Sequence, residues 1–214
     1  MKLILLGSPG SGKGTQANLL KTKYACIHIS TGDILRRHLK EKSALGFEAQ
    51  KFMSKGELVP DGLVVEMVRK RLCEEDVAAG FFMDGFPRTL PQVTAFDVML
   101  EELGWALDAV LFFSIDEETL VWRLTHRRSC SSCGKILSLQ MVDATEATLC
   151  PECGGKLYHR DDDSESVIRN RLAVYREQTA PLVSCYEKKG LLHIIDASGS
   201  PEETFQKVQA ALAG

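Results

Sequence analysis

A parallel β-sheet covered by helices is the fold class the sequence predicts, and three observations predict it. Short continuous apolar runs, such as Leu3 to Leu6, Phe81-Phe82-Met83-Asp84 and Val110 to Ile115, read as strands buried on both faces. Amphipathic helical stretches alternate with them, the α/β pattern. The first run passes through a glycine-rich turn directly into a helix, a strand–loop–helix unit.

Taken in order, Leu3 to Leu6 is the first strand and about Lys13 to Tyr24 the first helix. A second strand, Cys26 to Ile29, ends at Ser30-Thr31-Gly32-Asp33, and residues 30–59 read as mostly helical with no strand. Phe81 to Asp84 is the third strand, Val110 to Ile115 the fourth and Leu191 to Ile195 the fifth. Asp116 ahead of Glu117 and Glu118 opens the helix that carries Arg123 and Arg127. Ser200-Pro201-Glu202-Glu203 combines an N-cap Ser, a first-turn Pro and a Glu placed to close a capping box. Residues 126–163 break the alternation. The expected organisation is a P-loop core of residues 1–29, 60–125 and 164–214, with insertions at 30–59 and 126–163.

The chain has 214 residues, 26 Lys+Arg against 29 Asp+Glu and a net charge of −3, with 44% hydrophobic and 26% charged residues. At about 150 residues per domain this is one domain with insertions or two small ones, with enough apolar residues for a core. The slightly acidic balance argues against coating nucleic acid or an anionic membrane. No apolar run approaches the roughly 18 residues of a membrane span. Met1 to Gly7 is too short for a signal-peptide core, so the expectation is a cytoplasmic protein.

Of seven cysteines, Cys26, Cys73 and Cys185 stand alone in apolar surroundings and read as small buried residues. The others form Cys130-x-x-Cys133 and Cys150-x-x-Cys153 with 16 residues between the pairs. Four thiolates at this spacing suit a tetrahedral metal with no open coordination position, hence a structural site. Zinc is the default, and iron or cobalt would also fit four thiolates. An odd cysteine total argues against a disulfide framework, and His126 and His159 read as non-ligands.

Gly7-Ser8-Pro9-Gly10-Ser11-Gly12-Lys13 matches G-x-x-x-x-G-K between a strand and a helix. Such a loop converges backbone N–H groups, a helix N-terminus and a mobile lysine on phosphate oxygens. Gly14 follows Lys13, where the general motif has Ser or Thr, and the hydroxyl comes at Thr15; direct magnesium ligation by a hydroxyl is correspondingly less expected.

Gly7 to Thr15, then Ser30-Thr31-Gly32-Asp33, then Asp84-Gly85-Phe86-Pro87-Arg88-Thr89, with Thr179-Ala180-Pro181-Leu182 near the C-terminus, closely resemble the adenylate kinases, and the likeness runs essentially end to end. The resemblance implies transfer of a phosphoryl group from MgATP to AMP, giving two ADP, by a monomer with an AMP-binding insertion at 30–59. It also implies a long lid at 126–163, of the bacterial variety whose cysteines hold a metal. Carried over by position, ATP would meet Gly10, Ser11, Gly12, Lys13, Gly14 and Thr15, then Arg123, Arg127, Ile136, Leu137 and Gly199. AMP would meet Thr31, Arg36, the backbone of Glu57, Leu58 and Val59, then Gly85, Phe86, Pro87, Arg88 and Gln92. Arg160 and Arg171 would reach the transferring group and AMP, and Asp33 and Asp84 would hold magnesium through its waters.

The chemistry points the same way from the residues alone. Transfer between two nucleotides needs positive charge around crowded oxygens, and a phosphate acceptor needs no general base. Lys13, Arg36, Arg88, Arg123, Arg127, Arg160 and Arg171 supply such charge, with Lys13, Arg88, Arg123, Arg160 and Arg171 expected to be catalytic. Arg123 and Arg127, four apart, are expected to converge from one helical face. Arg169 and Arg171, two apart, cannot both face a site; only the resemblance selects Arg171. Arg88 stands in a turn at a strand end, where α/β sheets bind ligands. Gln92 offers an amide that could pair with adenine.

The lid departs from its relatives. Ile136-Leu137 stands where an aromatic is usual, and Met141 to Leu149 replaces a usual Pro-Pro-Lys. The nearest alternative within the class is a UMP/CMP kinase, though those generally have short lids. A nucleic-acid-binding zinc ribbon is disfavoured. Residues 126–163 carry Arg127, Arg128, Lys135, Lys156 and Arg160 against six acidic residues, with only Tyr158 for stacking. An inactive sensor would need a lost phosphate-binding residue, and none is missing.

Overall fold

The computed structural model describes residues 1–138 and 148–213. In chain order its elements are β1 (Lys2–Gly7), α1 (Lys13–Lys23), β2 (Ile27–Ser30), α2 (Thr31–Lys40), α3 (Ala44–Met53), α4 (Asp61–Leu72), β3 (Phe81–Asp84), α5 (Leu90–Glu102), β4 (Ala109–Ser114), α6 (Glu117–Thr125), β5 (Arg127–Cys130), β6 (Ile136–Ser138), β7 (Leu157–Tyr158), α7 (Glu165–Val174), α8 (Pro181–Lys188), β8 (Leu192–Asp196) and α9 (Pro201–Ala213). A five-residue π turn, Tyr175–Thr179, joins α7 to α8.

Five strands form one parallel sheet in the order β2-β3-β1-β4-β8. Alternation along each strand sorts side chains between two helical layers. Ile4, Leu6, Phe81, Met83 and Val110 pack on one side with Val68 of α4, Phe96 of α5 and Tyr186 of α8. Leu3, Leu5, Phe82, Leu111 and Phe113 pack on the other with Ala17 and Leu20 of α1 and Val208 of α9. Both faces being covered explains the unbroken apolar runs, and each large side chain so buried contributes about 1.5–3 kcal/mol.

Helix starts follow the local chemistry of the chain. Ser30 caps α2 by accepting from Asp33 N–H at 3.2 Å, and Asp116 caps α6 by accepting from Thr119 N–H at 2.8 Å. At α9 the capping box closes: Ser200 N–H donates to Glu203 Oε2 (2.8 Å) and Glu203 N–H to Ser200 Oγ (3.2 Å).

Two readings are corrected. Arg123 and Arg127 do not share a helical face, because α6 stops at Thr125 and Arg127 opens β5. His126 ends the helix by stacking on Trp122, ring centroids 4.4 Å apart, with Nδ1 donating to the Trp122 carbonyl at 2.9 Å. Cys73 is exposed rather than buried, since Leu72 takes the inward position at the end of α4, whereas Cys26 is buried and Cys185 half-buried. The cysteine region holds a three-stranded antiparallel sheet, β6-β5-β7, whose strands are too short for their periodicity to show. Most of the Met141 to Leu149 run lies outside the described residues.

Candidate active site

Every loop that carries a site residue in the parallel sheet leaves it at the carboxyl end, where such sheets bind ligands. Register sets them level: Asp84 stands beside Leu5 of β1 on one side and Ser30 of β2 on the other. The glycine loop therefore rises from the middle of the sheet, flanked by the Asp84-Gly85 turn. Gly10 has φ +86°, and a Cβ there would lie 2.9 Å from Leu124 Cγ, so the loop's path requires glycine. Gly12 caps α1 without a side chain, leaving the helix's first N–H groups directed into the loop. Lys13 Nζ donates to the carbonyls of Gly7 and Ser8, both at 2.8 Å. Burial pushes its pKa down to about 8, against the opposing pull of Asp84.

Beside the loop lies an open pocket enclosing about 620 Å³ of space, its mouth included. Thr31, Arg36, Glu57, Leu58, Val59, Gly85, Arg88, Gln92 and Arg171 all line it. Thr31 Oγ1 donates to the Gly85 carbonyl at 2.9 Å. Gly85, at φ +81°, has no room for a Cβ, which would lie 2.7 Å from Thr31 Oγ1. Arg88 is clamped from three sides: its Nε donates to Gly85 O (2.8 Å), its N–H to Gln92 Oε1 (2.7 Å), and its carbonyl accepts from Thr179 Oγ1 (2.9 Å).

Cations converge on this cleft. Arg127 makes a two-pronged contact with the fully buried Asp163 at 2.5 and 2.7 Å, and Arg171 Nη1 reaches Asp162 Oδ2 and Asp163 Oδ1 at 3.0 and 3.1 Å. Arg160 Nε donates to Ser129 Oγ at 2.7 Å. Among the described residues, Lys13, Arg36, Arg88, Arg127, Arg160 and Arg171 thus outnumber the carboxylates around them, Asp33, Glu57, Asp84, Asp162 and Asp163. Burial first, and then neighbouring guanidiniums, push Arg160 and Arg171 down to about 10. A positive cleft in a chain of net charge −3 calls for an anion. Burial would raise Asp84, but His28, whose Nε2 lies 3.4 Å from Oδ2, together with Lys13, holds it below the usual carboxylate value.

The four cysteines meet between the short strands. All four sulfurs lie within 4.8 Å of one another, with Cys130–Cys153 at 3.5 Å and Cys133–Cys150 at 3.8 Å. A tetrahedron of thiolates about 2.3 Å from zinc has edges of about 3.8 Å, so the set fits a single ion. The two knuckles repeat one geometry: Gly134 N–H donates to Cys130 O and Gly154 N–H to Cys150 O, both glycines having positive φ. Among the described residues neither His126 nor His159 joins this cluster.

The model of the adenylate kinase family matches residues 5–191. Over 213 residues the chain is 46% identical to an adenylate kinase of Methanothrix thermoacetophila, covering 100% of this chain and 99% of the relative. It is 47% identical to those of Carboxydothermus hydrogenoformans, over 99% of both chains, and Geotalea daltonii, over 100% of both. The chain belongs to the adenylate kinase family.

Against the adenylate kinase pattern, most expected residues stand together, with exceptions. Phe86 is buried in the core against Phe96, ring centroids 5.3 Å apart, so only its backbone is open to a ligand. Leu137 packs with Cys130, Cys150 and Leu157, while its neighbour Ile136 points the opposite way, to 3.6 Å from where a Cβ on Gly14 would lie. Side chains of that pair therefore cannot both face a nucleotide. Arg123 reaches the carbonyls of Ser198 and Gly199 only at 3.5 Å. Asp33 pairs with Arg36 at 2.5 Å; burial raises its carboxyl, but Arg36 and Ser30 more than offset this. Asp84 Oδ2 lies beside the loop, 3.8 Å from the same Gly14 position, and is the better placed for a hydrated cation. Arg169 pairs with Glu165 on the surface, whereas Arg171 turns inward. Sequence reasoning missed Asp162 and Asp163, which anchor the arginines. The signal was present in the acidic run directly after Arg160.

Proposed function

We propose that the chain performs the family's reaction, reversible transfer from MgATP to AMP giving two ADP, with the following division of labour. ATP phosphates lie on the loop from Gly10 to Thr15, with Lys13 swinging from its carbonyls to the phosphate oxygens. Arg123 and Gly199 serve the nucleoside side of ATP. AMP occupies the pocket lined by Thr31, Arg36, Val59, Arg88 and Gln92, its phosphate held by Arg36, Arg88 and Arg171. Arg127, Arg160 and Arg171 surround the group in flight. The bond from the γ-phosphorus to the bridging oxygen of ADP breaks as an AMP phosphate oxygen bonds to phosphorus, and the arginines stabilise charge on the equatorial oxygens. Magnesium arrives with ATP, and Asp84, with Asp33, would hold it through its waters.

The observation that carries this reading is that the cations gather at the boundary of two sites, the loop and the pocket. Residues 30–59 and 126–163 act as acceptor-binding and lid insertions on the core formed by 1–29, 60–125 and 164–214. Lid closure brings Arg127 and Arg160 in and keeps water from the phosphoryl group. Zinc, when bound, joins four thiolates into one rigid centre; the cysteines thereby hold β5, and with it Arg127, in place. Free thiolates of this kind need a reducing compartment, which supports a cytoplasmic protein, read here as a monomer with neither a nucleic-acid nor a membrane partner.

The test is ADP formation from ATP with magnesium, with and without AMP, on protein of measured metal content, and then with CMP, UMP and GMP as acceptors. Fast AMP-dependent turnover with about one zinc per chain is expected. Faster turnover of CMP would move the chain to another branch of the class, and no dependence on any monophosphate would overturn the reading.

A further inference from the structure

Asp61 opens α4 and has no part in the site described so far. Its carboxylate accepts from Gln92 Nε2 at 2.6 Å through Oδ1 and from Thr89 Oγ1 at 2.9 Å through Oδ2. Gln92 is 2% exposed and lines the acceptor pocket, and its Oε1 accepts the Arg88 N–H at 2.7 Å. A carboxylate only accepts and a backbone N–H only donates, so the two partners impose the same orientation on the amide. Turning it over would set oxygen against carboxylate and NH₂ against N–H. The Thr89 hydroxyl keeps the carboxylate from rotating away.

We propose that Asp61 is a positioning residue for the acceptor's base: acting with the Arg88 N–H, it fixes the polarity of the Gln92 amide and thereby makes the pocket prefer a 6-aminopurine over a 6-oxopurine monophosphate. The proposal rests on the pocket being the AMP site. Each end of the amide uses one bonding position on its neighbour, leaving one N–H and one oxygen lone pair side by side. The Watson–Crick edge of a 6-aminopurine presents a donor, the 6-amino group, beside an acceptor, N1. A 6-oxopurine presents the reverse order, an acceptor O6 beside a donor N1–H. With the monophosphate anchored by Arg36, Arg88 and Arg171, the base cannot turn to match, and a fixed amide pairs with one order while opposing like to like in the other. Without Asp61, a single N–H remains to set the polarity, and the amide is free to turn over for the 6-oxo base.

The experiment compares kcat/KM for AMP and for IMP on the same preparation of the unaltered protein, Asp61→Asn and Asp61→Ala. Asn is nearly isosteric and accepts either end of the amide. Because both acceptors are assayed on one sample, any misfolded fraction cancels from the ratio. The expected result is a preference for AMP that falls about tenfold in both variants, chiefly because KM rises for AMP and falls for IMP. If both acceptors lose activity in equal proportion, Asp61 is merely structural and the proposal is overturned. If the unaltered protein shows no preference for AMP, the AMP reading itself fails, and the proposal with it.

Discussion

The parallel sheet and the cysteine sheet solve the same problem with different means. The first buries two full apolar layers, one on each face, from Leu3 and Ile4 outward to Leu20, Phe96, Tyr186 and Val208. Among the described residues the second buries only Cys130, Leu137, Cys150 and Leu157, two of them members of the four-cysteine cluster. So small a cluster cannot offset the entropy of ordering the segment, and a metal shared by the four sulfurs would supply what apolar burial does not. Yet two of the cations near the first sheet's cleft are carried by the second, since Arg127 lies on β5 and Arg160 bonds Ser129 of the same strand. On the proposed reaction, stability of the weaker region would be tied to chemistry on the stronger one.

The largest expected effect breaks the parallel sheet's side of the comparison. Phe96→Ala opens a cavity between Phe81 and Phe86 and is expected to cost about 3–5 kcal/mol of global stability, read as a lower urea midpoint for far-UV circular dichroism. Next come Lys13→Ala and Arg88→Ala, expected to lower kcat by about 10²–10³-fold with the melting temperature little changed. Near-normal rates would remove these residues from the reaction. Cys130→Ser tests the other sheet. It is expected to lose the metal and lower the melting temperature by roughly 4–8 °C, equivalent to about 2 kcal/mol, with a much smaller fall in activity at low temperature. An unchanged melting temperature in metal-replete protein would mean that the sulfurs do not hold the region together.

The same contrast explains what was legible beforehand. Strands of the parallel sheet announce themselves because both faces are buried, and the phosphate loop because its glycines and lysine stand at fixed spacing. The cysteine site was legible as ligand spacing alone, while its strands, two to four residues long, carry no period. Arg123 and Arg127 show the limit of helical arithmetic. A single His126 ends the helix between them, and the i,i+4 relation becomes a helix residue and a strand residue. Arg171 could not be told from Arg169 by residue type, because what separates them is Asp162 and Asp163, brought alongside by tertiary folding. Asp61 lies 31 positions from Gln92, and no local pattern links them.

The smallest effect concerns the kind of charge each region brings. Lys13, on the parallel sheet's loop, is held down to about 8 by burial, whereas Arg127 and Arg160 are guanidiniums. Phosphate oxygens stabilise the protonated amine, so bound ATP must raise the Lys13 pKa above its value in the free protein. Below pH 8 both forms carry the proton and ATP affinity is flat. Between about 8 and the raised value, binding takes up a proton, and affinity falls by up to tenfold per pH unit as pH rises. AMP affinity, which in the proposed reaction rests on arginines, should change little between pH 7 and 9. Calorimetric titration of each nucleotide across that range checks the difference. Lys13→Arg, even if slow in turnover, should flatten the ATP profile, and a flat profile with Lys13 in place would mean that the loop amine keeps its proton in the free protein.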